Sequence, residues 1–357
     1  MNKSIPSVAI EFVPAIELIT AAASVAGVPE EEVLTLSLTP ERREEFELWR
    51  SRVRAQMSPF ERSDLELVFS TITAAVYLFY LAIEGRCLAP DQIIGRLREI
   101  DDEQFVASFR ELLHIELTPE PWLTREIIEE ALENDRARES VPFSQEAEQL
   151  VELLCAPTEF RRTLADVLDW FHQRFLVGEL DRIDREIRKD ISRYEPYILE
   201  QPAEALDRLS GGNFETLFVG RSSVTIFPIY LASFERSMLL PGNAYIVCGT
   251  GRMERALVAS ASKEGLRERT EELLKTISDP NRLAILRLLR QKPRYGKELA
   301  GELSIGAPTA SYHLDKLMRA NLVRLELSHG RRFYYAVNPG GVQELQHCLQ
   351  EEFLDEA

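Results

Sequence analysis

Cysteine and histidine are scarce in this chain of 357 residues, which holds 4 of the first and 5 of the second. Cys87, Cys155, Cys248 and Cys348 form no C-x-x-C pair, so spacing excludes a zinc ribbon and a thioredoxin-type redox site. Few thiols in a long chain fit a reducing compartment. Before residue 300 the histidines are His114 and His172, and neither has a Ser, Cys or carboxylate at triad or zincin spacing. A P-loop is absent, and Gly249-Thr250-Gly251-Arg252 does not continue as a dinucleotide fingerprint, so it reads as a turn. Long apolar runs are missing too. Leu67 to Ile83 has no charge, but it contains Ser70, Thr71, Thr73, Tyr77 and Tyr80 between Glu66 and Glu84. A spanning helix needs about 20 apolar residues, so this stretch is expected to be a buried core helix. Near the start, Glu11, Pro14 and Glu17 interrupt any signal-peptide core. The expectation is a cytoplasmic protein without a membrane span, an enzymatic site, a cofactor or a bound metal.

Charge is plentiful but unevenly placed. The chain carries 42 Lys and Arg against 59 Asp and Glu, a net charge of −17. Residues 273–340 nevertheless hold 12 Lys or Arg and 5 acids, a local charge of +7. The tail from 341 is −5, and residues 1–272 carry −19. A basic module inside an acidic chain is the pattern of a nucleic-acid-binding domain attached to something else.

The acidic part reads as mostly helical. Ser58-Pro59-Phe60-Glu61 is a capping box with Pro in the first turn, expected to open the apolar helix through Ile83. Thr39-Pro40, Ala89-Pro90 and Thr118-Pro119 mark further helix starts, and Phe143–Leu154 and Glu159–Phe175 keep the helical period. From Leu180 to Tyr194 both charge signs surround a narrow seam of Leu180, Ile183, Ile187 and Ile191, which predicts a solvated helix with one buried stripe. After the breaker Ser210-Gly211-Gly212-Asn213, short β-branched runs at 216–219, 224–229 and 244–248 read as strands. Ser7–Val13 alternates likewise and is expected to return to pair with them. Trp49, Trp122, Trp170, Tyr77, Phe79 and Tyr80 read as core before pocket. Residues 1–252 thus form an acidic helical domain with a small sheet. Arg252–Ile277 supplies one or two bridging helices, and residues 253–357 form the second domain.

In that second domain Asp279 caps a helix with Pro280 in its first turn, and Leu283, Ile285, Leu286, Leu288 and Leu289 make its apolar side. A short helix with Leu299 and Leu303 follows. Ser304-Ile305-Gly306-Ala307-Pro308 turns, and Thr309–Ala320 gives a third helix with Leu314 and Leu317 inward. Two short helices about such a turn are a helix-turn-helix, whose second member enters the major groove. Thr309, Ser311, Tyr312, His313 and Lys316 offer hydroxyls, imidazole and ammonium, the groups that read base edges or grip phosphate. Leu322–Leu327 and Arg331–Val337 alternate around Ser328-His329-Gly330, a hairpin carrying Arg331 and Arg332 just past its tip.

These residues resemble the ArsR-type winged helix of bacterial transcription regulators. The resemblance rests on Ser278-Asp279-Pro280-Asn281-Arg282, Ile285-Leu286, Glu298-Leu299-Ala300 and Thr309-Ala310-Ser311-Tyr312-His313-Leu314. Leu317, Leu322-Val323, Gly330-Arg331-Arg332 and Tyr334-Tyr335 complete it. It implies a homodimeric regulator, usually a repressor, that binds a palindromic double-stranded DNA operator and leaves it when an effector binds. The helices flanking the module would form the dimer surface. Metal sensing is not implied here: Tyr295-Gly296-Lys297-Glu298-Leu299 has no cysteine, and Glu344, His347, Cys348 and Glu351 include one histidine. The minimal members lack a large N-terminal domain, for which effector binding, dimerisation and a catalytic remnant all stay open. The fold expected is α-rich α+β, with a C-terminal winged helix-turn-helix. The alternative is a ligand-binding or enzymatic protein whose winged helix contacts another protein; the +7 charge and the Arg331-Arg332 wing argue against it.

Overall fold

The structure is a computed structural model. It describes residues 5–27, 40–69, 72–112, 155–210, 214–231, 236–240, 242–257, 263–327 and 333–354. The expected helices at Thr118-Pro119 and Phe143–Leu154, and His114 and Trp122, lie outside these residues, as does the hairpin tip 328–332.

Four strands form a mixed sheet: β1 (Ser7–Ile10), β2 (Ser223–Ile229), β3 (Arg236–Leu240) and β4 (Asn243–Gly249), in the order β1-β2-β4-β3. The first strand does return, pairing parallel with β2 so that Ile10 lies beside Ile226. β2 and β4 are parallel, and β3 runs antiparallel on the edge. β3 was not expected from the sequence. Conversely, the strand expected at 216–219 is absent: Phe214–Leu217 is a single helical turn, its first amide accepted by Asp207 Oδ1 at 3.2 Å. The rings of Phe214 and Phe218, one turn apart, meet at a tilt with centroids 6.0 Å apart, a contact that helical spacing permits and an extended chain would not.

Each face of the sheet has its own core. Phe227, Ile229 and Val247 pack into the large helical cluster, whereas Val224, Ile226, Ala244, Ile246 and Cys248 face a second cluster with Ile198, Leu206 and Met253. Alternation along β2 and β4 puts successive side chains on opposite faces, and both faces are covered by helices. The helix Pro14–Ala26 is buried all round, from Ala15 to Val25. It includes Glu17, fully enclosed, whose carboxylate accepts the amides of Tyr230 at 2.8 Å and Leu231 at 2.6 Å. The Ser58 capping box is present, with Ser58 Oγ and Glu61 Oε2 each accepting the other's amide. The helix it opens stops at Val68, and Ile72–Glu84 is a separate helix, so the single long apolar helix resolves into two. The 21-residue helix Leu180–Glu200 buries Ile183, Ile187, Tyr194 and Ile198 in a single stripe, with Leu180 and Ile191 of the expected seam half-buried, and among its charges Asp190 is turned inward to Arg42. Among the described residues no helix is long and apolar enough to cross a membrane.

Two helices, Thr250–Leu257 and Lys263–Ile277, occupy the bridging segment. A third core, built on Leu273, Ile285, Leu299, Leu314, Leu317 and Val323, then organises the C-terminal elements.

Candidate nucleic-acid interface

The first helix of this unit, Pro280–Gln291, starts where the sequence places it. Asp279 is extended (φ −75°, ψ 127°), and its Oδ1 accepts the Arg282 amide at 3.0 Å. Burial opposes the Asp279 charge, but the Arg282 amide and guanidinium outweigh it and hold the carboxyl below the usual range. The second helix, Gly296–Leu303, ends on Ser304 in the left-handed region (φ 54°, ψ 38°), with the Ile305 amide donating to Ala300 at 3.0 Å. Thus Ser304 makes the reversal. Gly306 has φ −64° and serves as the N-cap of the next helix.

That third helix runs from Ala307 to Arg319, beginning two residues before the expected Thr309. Gly306 offers no side chain to cap it, and Pro308 lacks an amide, so the N-terminal dipole points outward without a capping oxygen. Anions are favoured at such an end. Ala310, Leu314 and Leu317 anchor the inner side, while Thr309 and Tyr312 are exposed and Ser311 and Lys316 half-buried. Lys316 Nζ lies 5.6 Å from the centre of the Tyr312 ring, one turn away. An aromatic face here limits where the ammonium can swing.

His313 departs from the expected set. It is buried at 5% exposure, with Nε2 3.4 Å from Asn281 Nδ2 and Nδ1 3.8 Å from Asp279 Oδ1. Helical geometry explains this: His313 lies three residues after Ala310 and four before Leu317, on the inner stripe. The imidazole therefore meets the capped end of the first helix and not the outer face that Thr309 and Tyr312 share.

The hairpin follows as β5 (Val323–Leu327) and β6 (Phe333–Val337), with Val323 opposite Val337. Arg294 pairs with Tyr335 as an added bridge, its amide donating at 3.0 Å and its carbonyl accepting at 2.9 Å. Tyr295 stacks on Tyr334 at 4.0 Å, locking the second helix to the wing's base. Arg331 and Arg332 lie outside the described residues. Not every cation of the basic segment faces out. Arg294 is buried against Glu302, and Arg282 donates to the carbonyls of Thr276 at 2.5 Å and Lys275 at 3.3 Å. Exposed positive charge remains at Lys275, Arg287, Arg290, Lys292 and Lys297.

The helix Pro339–Phe353 closes the unit. Glu344 is held bidentately by Arg269, at 2.8 and 3.1 Å, and is engaged there rather than offered to a metal. Cys348 is buried, and burial pushes its thiol up. His347 Nδ1 stands 4.0 Å from Glu351. Elsewhere, the turn at 249–252 ends β4 and begins a helix at Thr250, whose buried hydroxyl meets Arg42. Trp49, Tyr77, Phe79 and Tyr80 are core residues and His172 is buried.

Comparison with known proteins bears on this unit. The family described as "Bacterial regulatory protein, arsR family" matches residues 279–324, from the Asp279 cap into β5. An uncharacterized HTH-type transcriptional regulator of Methanocaldococcus jannaschii is 35% identical over 72 residues, 20% of this chain and 81% of that protein. No solved structure matches the chain. With helix, turn and helix matched in that order, and a relative covered over 81% of its length, the chain belongs to the ArsR family of regulatory proteins, extended by a large N-terminal region.

Proposed function

We propose that the protein is a sequence-specific DNA-binding transcription regulator acting as a homodimer, a repressor whose operator binding an effector modulates through the N-terminal region. The observation that carries the reading is the outer face of the third helix. Its uncapped N-terminus, Thr309, Tyr312 and the half-buried Ser311 and Lys316 form one polar surface on a packed scaffold, as a major-groove reader requires. Lys316 is assigned to phosphate, and Ser311 and Tyr312 to base edges. Arg331 and Arg332 are assigned to the wing-side groove. His313 is assigned to positioning. No catalytic role is assigned to any residue.

Dimerisation is supported by the last helix. Val342 and Phe353 are exposed on one side of it, with Leu349 half-buried between them. Their spacing of seven and four residues makes an apolar stripe beside the packed face of Gly341, Leu345 and Cys348. Two modules on a palindrome multiply an affinity that one recognition helix supplies weakly. An open cleft of about 440 Å³ supports the effector reading. It lies where β1 ends, between Ile10–Val13, Leu88 and the Arg188–Ser192 turn of the long helix.

The test is selection of bound genomic fragments by the purified full-length protein at two salt concentrations. Enrichment of a palindromic site, steeply lost at higher salt, is expected. Failure to enrich any site at either salt, with and without cell extract, would overturn the reading.

A further inference from the structure

Resting on the DNA-binding reading, we propose that Arg269 is a positioning residue for DNA recognition, the joint through which the helices flanking the module set the recognition helix. Arg269 stands on the helix Lys263–Ile277, before the helix-turn-helix begins. Its guanidinium reaches three other places. Nε and Nη2 grip Glu344 of the last helix at 2.8 and 3.1 Å, Nη1 meets Glu272 at 2.8 Å, and Nη2 donates to the Ala320 carbonyl at 3.0 Å. Ala320 is the C-cap of the recognition helix. One planar fork therefore ties both flanking helices to the end of the element that would lie in the groove.

The attachment point is itself tightly specified. Asn321, next to Ala320, has φ +64°, a left-handed conformation that costs a non-glycine residue energy unless its surroundings enforce it. Those surroundings are present. Asn338 Nδ2 donates to Asn321 Oδ1 at 2.6 Å, Asn321 Nδ2 lies 3.5 Å from Glu344, and the Asn338 amide donates to Leu322 at 2.9 Å. The last helix crosses this turn so closely that a Cβ on Gly341 would stand 1.7 Å from the Asn321 carbonyl oxygen. Packing this close moves as a unit or not at all, so a rotation of the flanking helices carries the recognition helix with it. Burial opposes the charge on Arg269, and Glu344 and Glu272 outweigh it; Arg269 in turn holds the Glu344 carboxyl below the usual range against its own burial.

The experiment measures operator and random-duplex affinities of the full-length protein across a salt series, for wild type, Arg269→Lys and Glu344→Gln. Arg269→Lys keeps the charge and loses the fork, and circular dichroism confirms that each variant is folded. Operator affinity is expected to fall about tenfold in both variants. Random-duplex affinity and the salt slope should stay as in wild type, because no phosphate contact is removed. A residue that only stabilised the fold would lower the melting temperature and leave the ratio of the two affinities unchanged. Unchanged operator-to-random ratios in both folded variants would overturn the proposal. Wild type without operator preference would instead defeat the underlying reading.

Discussion

Lys316, Ser311 and Tyr312 share one helix face, yet different chemistry should separate them. Lys316→Ala removes a point charge, so binding should weaken alike on all sequences and the salt slope should flatten by about one counterion. Ser311→Ala or Tyr312→Ala should relax base preference, with each reader contributing about 1–3 kcal/mol of discrimination. Titrations against operator and single-base variants distinguish the two patterns; identical effects of all three substitutions would reject the assignment. Glu17 poses a different residue-scale question. Burial raises its carboxyl to about 7 from 4.5, against the pull of the Leu231 and Tyr230 amides and of Arg42 and Arg182. The folded state thus keeps a proton that the unfolded chain releases. Stability should fall as pH rises from 4.5 to about 7, by up to about 3 kcal/mol. Urea unfolding at several pH values should show this slope in wild type and lose it in Glu17→Gln.

Elements here are set by local signals where packing agrees with them. Asp279 and Ser58 cap helices as their sequences imply, because an N-cap acts over three residues and needs no distant partner. Removing the Asp279 cap by alanine should cost about 1 kcal/mol, and more if His313 and Asn281 lose their anchor too. Gly341 illustrates the opposite case. Nothing in Pro339-Gly340-Gly341 announces that one glycine lies under a neighbouring turn. Gly341→Ala should nevertheless destabilise the winged helix by about 1–3 kcal/mol, since the atom it meets is backbone and cannot swing away. Thermal unfolding beside Gly340→Ala, whose Cβ would meet only Asn338 Oδ1 at 3.5 Å, makes the comparison.

Over the whole molecule, the net charge of −17 conceals the +7 segment, and the acidic remainder should repel DNA. Non-specific binding should therefore be weak and lost first as salt rises. Dimerisation through the last helix predicts that Phe353→Glu lowers the sedimenting mass, or makes it concentration-dependent, without unfolding the chain, since Phe353 is 64% exposed. A dimer surviving that change together with Val342→Glu would place the contact elsewhere.

Much of this architecture was legible in the residues themselves. Caps, prolines, β-branched runs and the leucine spacing of 280–327 act locally, so composition and period determined the helix-turn-helix, the hairpin and the sheet's three parallel strands. Tertiary structure alone decided which surfaces those elements spare. Spacing from Ala310 and Leu317 turns His313 inward, but that it meets Asp279 and Asn281 there depends on how the first helix crosses the third. The same holds for Arg294, basic by composition and buried by a β-bridge, and for the short edge strand β3, which exists because β4 gives it a partner. Glu17 and Arg269 read as ordinary charges on helices until chain segments 213 and 75 residues away supply their hydrogen bonds. Local preference is a property of the chain; burial and charge pairing belong to the assembled core, because desolvation and Coulomb energy depend on what surrounds a group in space.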